Sequence, residues 1–133
     1  MEIILHIQAK KLDRQFNSAI NEYVKRISPF ATVKISTHGD IRNIPFKEGS
    51  YIINVNPAHA LISSTYMAEK INDICVTGYS RIELIISNSY SYTGSHFDFG
   101  ISYMDMDSQL VLVALTEQLY RAFTILNNIT YHK

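Results

Sequence analysis

The sequence predicts an α/β protein built on a mostly parallel, five-stranded sheet flanked by helices. Three observations carry that expectation. β-Rich apolar runs such as "EIILHIQ", "YIINV" and "IELIIS" alternate with segments whose apolar residues recur at helical spacing. The runs are apolar at nearly every position, as in strands covered on both faces, and do not alternate as a half-wet sheet would. No linker, repeat or low-complexity stretch interrupts the 133 residues, so one domain over 1–133 is expected.

Each element has its own local reason. "EIILHIQ" reads as the first strand. "KKLDRQFNSAINEYVKRISPF" then sets Leu12, Phe16, Ala19, Ile20, Tyr23, Val24 and Ile27 on one helical stripe, which Ser28-Pro29 ends. "TVKIS" is a short alternating strand, and "THGDIRNIPFKEGS" is a polar loop holding Gly and Pro. "YIINV" is the third strand. Ser63-Ser64 can cap a helix whose buried face holds Met67, Ile71 and Cys75. "IELIIS" reads as a fourth strand, apolar throughout. "NSYSYTGSHFDFG" is a loop in which Tyr90, Tyr92, Phe97 and Phe99 are placed to close over a pocket, and "ISYMDM" reads as the fifth strand. Asp107 is placed to cap a last helix, Ser108 to about Leu126. The first half of that helix, "LVLVAL", is apolar on every side. A chain this short has few elements left to cover it, so a second copy is expected there, in a homodimer.

Composition excludes several classes. Twelve Lys and Arg balance twelve Asp and Glu, so no global field draws the chain to DNA or to a membrane. Contact with RNA would use a local basic patch, and Lys10, Lys11 and Arg14 form one, with Lys25 and Arg26 further along. Leu110 to Leu115, the longest apolar run, is far too short to span a bilayer. A single cysteine, Cys75, excludes an internal disulfide and reads as a buried apolar thiol in a reducing compartment. With no signal-peptide pattern after Met1, a cytoplasmic location is expected.

Candidate chemistry is sparse. There is no Walker-type loop, no Rossmann glycine pattern and no histidine pair at metal-ligand spacing, so no metal is expected. His6, His38, His59 and His96 read as structural or surface residues, and "HGD" at 38–40 as a turn. Asp105 and Asp107 would share one side of a strand, where a hydrolase uses paired carboxylates, although capping of the next helix explains Asp107 more simply. The end of the chain stands out. A helix carrying Glu117, Tyr120 and Arg121 is stopped by Asn127-Asn128, and a phenol, an imidazole and an ammonium follow at Tyr131, His132 and Lys133.

That ending, "EQLYRAFTILNNITYHK", resembles the C-terminal signature of the RlmH family. The opening "MEIILHIQAKKLDRQFNSAINEYVKRISPF" resembles that family's first strand and helix, and "YIINVNPAHALISSTYMAEKIN" echoes its later strand-helix pair. Members are SPOUT-class methyltransferases that use S-adenosylmethionine to methylate N3 of a pseudouridine in the 23S rRNA of the large subunit. The resemblance implies a SPOUT α/β knot with a C-terminal trefoil knot, a homodimer, and the ribosome or large-subunit rRNA as partner. It implies cofactor contacts from Asn88 and from Ser102, Tyr103, Met104, Asp105, Met106 and Asp107. It also puts the tail at the active site. His132 would accept the N3 proton, Lys133 or Arg121 would stabilise the anion, and Tyr131 would stack on the base. Lys10, Lys11 and Arg14 would contact RNA phosphates.

The sequence departs from the family at defined places. Ser87-Asn88 stand where paired glycines are usual, and Asp105-Met106-Asp107-Ser108 replace a segment ending in Pro-His. Leu112 stands for an arginine, and a helix is missing around Asp40 to Gly49. Lost glycines remove close backbone approach, so weakened or lost S-adenosylmethionine binding is expected. Whether the chain is an enzyme stays open at this point. The alternative is a non-catalytic paralogue acting as a dimeric RNA- or protein-binding module.

Overall fold

The computed structural model describes residues 1–131. Five strands, β1 (Glu2–Gln8), β2 (Thr32–His38), β3 (Tyr51–Val55), β4 (Arg81–Ile86) and β5 (Phe97–Phe99), form one sheet in the order β2-β1-β4-β3-β5. Every pairing is parallel. Helices α1 (Arg14–Ile27) and α2 (Ser64–Val76) supply the β1–β2 and β3–β4 crossovers, and α3 (Ser108–Leu126) is the final element.

Register separates two faces. Ile3, Leu5 and Ile7 stand beside Ile82, Leu84 and Ile86, and these beside Tyr51, Ile53 and Val55. That face packs against Ile20 and Ile27 of α1, Met67, Ile71 and Ile74 of α2, and Leu112, Leu115 and Leu119 of α3 in one core. The opposite face carries Ile52 and Ile85, covered by Ile41, Ile44, Phe46, Tyr90 and Tyr92. Helices therefore cover one face and loops the other. The near-continuous apolar strands are explained, because both faces are buried, with the 39–50 segment, which holds the one-turn 3-10 helix Ile41–Asn43, and the 87–96 segment on the second face.

Capping follows chemistry. Asp107 accepts a hydrogen bond from the Gln109 amide at 2.8 Å, and Ser63 one from the Tyr66 amide at 3.0 Å. Four expectations need correction. The fifth strand is Phe97–Phe99, while "ISYMDM" is irregular, so Asp105 and Asp107 do not share a strand face. The second strand continues to His38, because it pairs with β1 along its whole length. Cys75 lies inside α2 and is exposed, because that helix buries Met67, Ala68, Ile71 and Ile74. The fourth strand is not apolar throughout, for Glu83 sits in it at 1% exposure.

The first half of α3 is largely explained within one chain. Val111, Leu112 and Leu115 are buried against the core, and Val113 packs on it. Leu110 remains 42% exposed, and Tyr103 and Met104 in the segment before α3 are more exposed still.

Candidate cofactor crevice and the C-terminal cluster

Parallel strands send all their carboxyl ends to one side, and ligands of open α/β sheets bind there. The loops after β3, β4 and β5 meet on that side around a shallow crevice with about 10 Å³ of free space, lined by Val55, Asn56, Pro57, Asn88, Ile101, Ser102, Met104 and Val111. Buried asparagines hold the loops. Asn54 donates to the Tyr92 carbonyl and to Asp98, both at 2.8 Å, and accepts from the Tyr92 amide at 2.9 Å. Asn56 accepts from the Ala58 amide at 2.9 Å and donates to the Tyr90 carbonyl at 3.4 Å. Burial raises the pKa of Asp98, but hydrogen bonds from Ser95 and Asn54 outweigh it and hold the carboxyl below its ordinary value. Gly100 allows close crossing, since a Cβ there would stand 2.8 Å from the His59 carbonyl oxygen and 2.9 Å from that of Asn56.

The two residues standing for glycines play different parts. Ser87 is buried and its hydroxyl accepts from the amides of Ser89 and Tyr90 at 3.2 and 3.0 Å, so it shapes the loop without lining the crevice. Asn88 does line it, and its amide donates to the Met106 carbonyl at 2.6 Å, tying the loop after β4 to the loop before α3. Of the residues assigned to the cofactor, Asn88, Ser102 and Met104 gather at the crevice, and Met106 supplies the tied carbonyl. Tyr103 and Asp105 are exposed and do not line it, and Asp107 is occupied as a cap. Asn56 and Pro57 were not anticipated. Asparagine in the apolar run "YIINVNP" was the available signal, because a buried amide needs partners.

Arg121 and Tyr131 come together elsewhere. Glu117 accepts from Arg121 at 2.6 Å and from the Tyr131 hydroxyl at 3.2 Å. The Arg121 guanidinium lies 4.7 Å from the centre of the Tyr131 ring, which also packs on Tyr120 at 5.1 Å. Burial, with Tyr23 and the charge of Glu117, pushes the Tyr131 phenol up to about 12, so it stays a protonated donor. Glu117 likewise raises the pKa of Arg121. Ten residues of helix separate Arg121 from Val111 of the crevice lining, roughly 15 Å of rise, so Arg121 and the Tyr131 ring beside it stand away from the crevice of their own chain. His132 and Lys133 lie outside the described residues. Lys10, Lys11 and Arg14 are exposed. The two lysines precede α1 and so do not share a helix with Arg14. Their loop is held to α3 by a 2.6 Å bond from the Asp13 amide to Gln109.

A second polar cluster was also missed. On the loop-covered face, buried His6 donates from Nε2 to Glu83 at 2.8 Å and meets His38 at 2.8 Å through Nδ1. Glu83 also accepts from the Lys47 amide at 3.0 Å. Burial lowers the pKa of His6 more than Glu83 raises it. Burial raises that of Glu83, but Ser50, His6, the Lys47 amide and Arg81 together bring it below the ordinary value. The sequence shows His6, His38 and Glu83 far apart, and only parallel pairing of β1 with β2 and β4 unites them.

An all-parallel sheet with a crevice between the loops at its strand ends defines an α/β protein of the ligand-receiving kind. More particularly, the family model described as "Predicted SPOUT methyltransferase" matches residues 1–132, and the chain belongs to that family. It is 30% identical to ribosomal RNA large subunit methyltransferase H 1 of Thermoanaerobacter sp. (strain X514), with all of both chains covered. It is 30% identical to the putative ribosomal RNA large subunit methyltransferase H of Methanococcus maripaludis (strain C5 / ATCC BAA-1333), again over both whole chains. Identity to the corresponding protein of Mycoplasmopsis synoviae (strain 53) is 31%, over 96% of each. Among the described residues no helix is long and apolar enough to cross a membrane.

Proposed function

We propose that this protein transfers a methyl group from S-adenosylmethionine to a base of large-subunit rRNA, with N3 of a pseudouridine as the target, and that it acts as a homodimer with a knotted C-terminal segment. The observation that carries the reading is the crevice of Asn56, Asn88 and Ser102 at the strand ends of a SPOUT family member. Relatives that match over their whole length and carry methyltransferase names favour catalysis over a non-catalytic binding module.

The lining fits the cofactor in kind. Val55, Ile101 and Val111 give an apolar wall for an adenine, and the Asn56 amide with the Ser102 hydroxyl supplies polar partners. The free space, about 10 Å³, is far below the roughly 300–1,000 Å³ of small-molecule sites, so the loops that the Asn88–Met106 bond ties together would have to part for the cofactor to enter. When bound, S-adenosylmethionine supplies an electrophilic methyl on a sulfonium. The chain's own groups do the rest. His132 accepts the N3 proton, Arg121 or Lys133 stabilises the anion left behind, and Tyr131 offers a ring for the base.

Because the Arg121–Tyr131 cluster and the crevice are separated along α3, the site is completed by a second copy. An antiparallel two-fold pairing through the exposed side of α3 would set one copy's tail against the other's crevice. Leu110 and Ile125 are exposed apolar residues of α3, and Tyr103 and Met104 are exposed in the segment before it. The test is direct. Calorimetric titration with S-adenosylmethionine, light scattering, and methyl incorporation into large-subunit rRNA should give binding, a dimer mass and a modified uridine-type base. Cofactor binding without any incorporation into intact subunits or naked rRNA would reject the reaction, and a monomer mass at micromolar concentration would reject the shared site.

A further inference from the structure

Glu117 holds both members of the Arg121–Tyr131 cluster, and a chain of hydrogen bonds runs on from it to another helix. Glu117 Oε1 accepts from Arg121 Nη2 at 2.6 Å and from the Tyr131 hydroxyl at 3.2 Å. Its second oxygen, Oε2, accepts from Gln118 Nε2 at 2.6 Å. Gln118 Oε1 in turn accepts from the Ser64 hydroxyl at 2.6 Å. Ser64 is the first residue of α2, and the segment leading to it starts from Asn56 and Pro57 of the crevice lining.

The direction of every bond follows from one charge. An ionised carboxylate only accepts, so the NH₂ group of Gln118 must face Glu117. Its carbonyl oxygen is then turned to α2, where only a donor satisfies it, and the Ser64 hydroxyl is that donor. Ordinary helix geometry does not produce the Gln118–Glu117 contact. Side chains at i and i+4 meet, as Glu117 and Arg121 do, whereas those at i and i+1 diverge. Gln118 reaches Glu117 with its other end anchored across the helix interface. The relay also bears on an unspent donor, since Arg121 Nε is buried without a hydrogen-bond partner among the described residues. Such a donor disfavours its position. Fixing both oxygens of Glu117 keeps the guanidinium there, 4.7 Å from the centre of the Tyr131 ring.

We propose that Gln118, anchored by Ser64, is a positioning residue: it fixes the Glu117 carboxylate and thereby sets the Arg121 guanidinium and the Tyr131 ring for an incoming base. The inference rests on the methyltransferase reading for what the pair receives, but the placement itself is measurable without turnover. Neither Gln118 nor Ser64 touches the pair directly, so both act through Glu117.

The experiment uses the full chain labelled with 3-fluorotyrosine, in which the Tyr131 fluorine resonance is assigned by its loss in Tyr131→Phe. Methyl incorporation into large-subunit rRNA and calorimetric titration with S-adenosylhomocysteine are measured beside it. Gln118→Ala only enlarges a cavity of about 300 Å³ that Gln118 and Ser64 already line, so it should fold and melt close to wild type. It should move the Tyr131 resonance and leave S-adenosylhomocysteine affinity unchanged. It should lower kcat for methyl transfer about ten- to a hundredfold, as misplacement of a reacting group does. Gln118→Glu keeps the shape but sets a like charge against Glu117, and should lose at least as much. Ser64→Ala should show the same changes to a smaller degree, and Ser64→Thr, which keeps the hydroxyl, should restore wild-type behaviour. In the Gln118→Ala background, Ser64→Ala should add nothing, as expected of two residues in one chain of bonds. An unmoved Tyr131 resonance with wild-type kcat in Gln118→Ala would overturn the relay. So would a loss of kcat matched by lost cofactor-product affinity or melting temperature, the mark of a merely structural contact. A moved resonance in a protein that methylates no rRNA, wild type included, would sustain the positioning role and overturn the methyltransferase reading.

Discussion

Replacing Asn88 tests whether the crevice is held shut by one hydrogen bond. The Asn88 amide reaches the Met106 carbonyl at 2.6 Å across the mouth. A hydrogen bond of this kind is worth about 0.5–1.5 kcal/mol net. If the cofactor enters only after that bond opens, its apparent affinity carries the same cost. Asn88→Ala removes the bond while keeping a Cβ, and S-adenosylmethionine should bind roughly two- to tenfold more tightly by isothermal calorimetry. Asn88→Gly removes the Cβ as well, but adds about 0.5–1 kcal/mol of backbone entropy to be lost on ordering the loop, so it should gain little beyond the alanine variant. Ser87 is left alone, because its hydroxyl caps two amides of the loop. An affinity that fell in Asn88→Ala would refute the latch and make Asn88 a direct cofactor contact.

The Glu83 cluster predicts stability. Glu83→Leu strands the buried His6 Nε2 and the Lys47 amide and should cost about 3–5 kcal/mol, lowering the melting temperature by roughly 10–20 °C; a shift of only a degree or two by circular dichroism would contradict the assigned role. The pH dependence has a definite sign, since His6 is lowered from 6.5 and Glu83 from 4.5 in the folded state. Their contributions are full above those values and are lost as pH falls, first below 6.5 as the unfolded His6 protonates and then below 4.5, so denaturant midpoints that rose between pH 7 and 5 would be the wrong way round. Changing Lys10, Lys11 and Arg14 together to Ala should weaken RNA binding and flatten its log-salt slope by about three phosphate contacts' worth, whereas an unaltered slope would mark them as a solvated surface.

What the sequence made legible was local. Helical stripes, Ser63 and Asp107 as caps, and the apolar runs of β1, β3 and β4 each depend on neighbours a few residues away, and the fold class follows from their alternation. Non-local partnerships were hidden. Glu83 in "IELII" looks like a polar interruption of little consequence until β1 pairs beside β4 and delivers His6 to it. The fifth strand was displaced because "ISYMDM" has strand-like composition, yet it is Phe97–Phe99 that pairs with Ile53–Val55. At the candidate site, Asn88 could be placed from its position after an apolar strand, whereas the division of labour between Ser87 and Asn88 depends on which way each side chain turns. Cys75 shows the same limit, since its helix buries positions one residue away.

The loop-covered face connects these findings. A sheet buried on both sides normally takes helices on each, but here residues 39–50 and 87–96 do that work with few apolar side chains. Ile41, Ile44, Phe46, Tyr90 and Tyr92 pack over Ile52 and Ile85, and Phe46 meets the His6 ring edge-on, so the polar part of the face needs a further anchor. The hydrogen bond from the Lys47 amide to Glu83 ties the first loop to the sheet, and Asn54 ties the second through Tyr92. Buried polar groups secure loops well because each broken bond strands a partner without water. They do so at points, which leaves the loop ends free to shape ligand surfaces. Asn88 on one side and Ser89–Tyr90 on the other are such ends, one lining the candidate crevice and the other a cavity shared with Gln8, Asp40, Ile41 and Arg42.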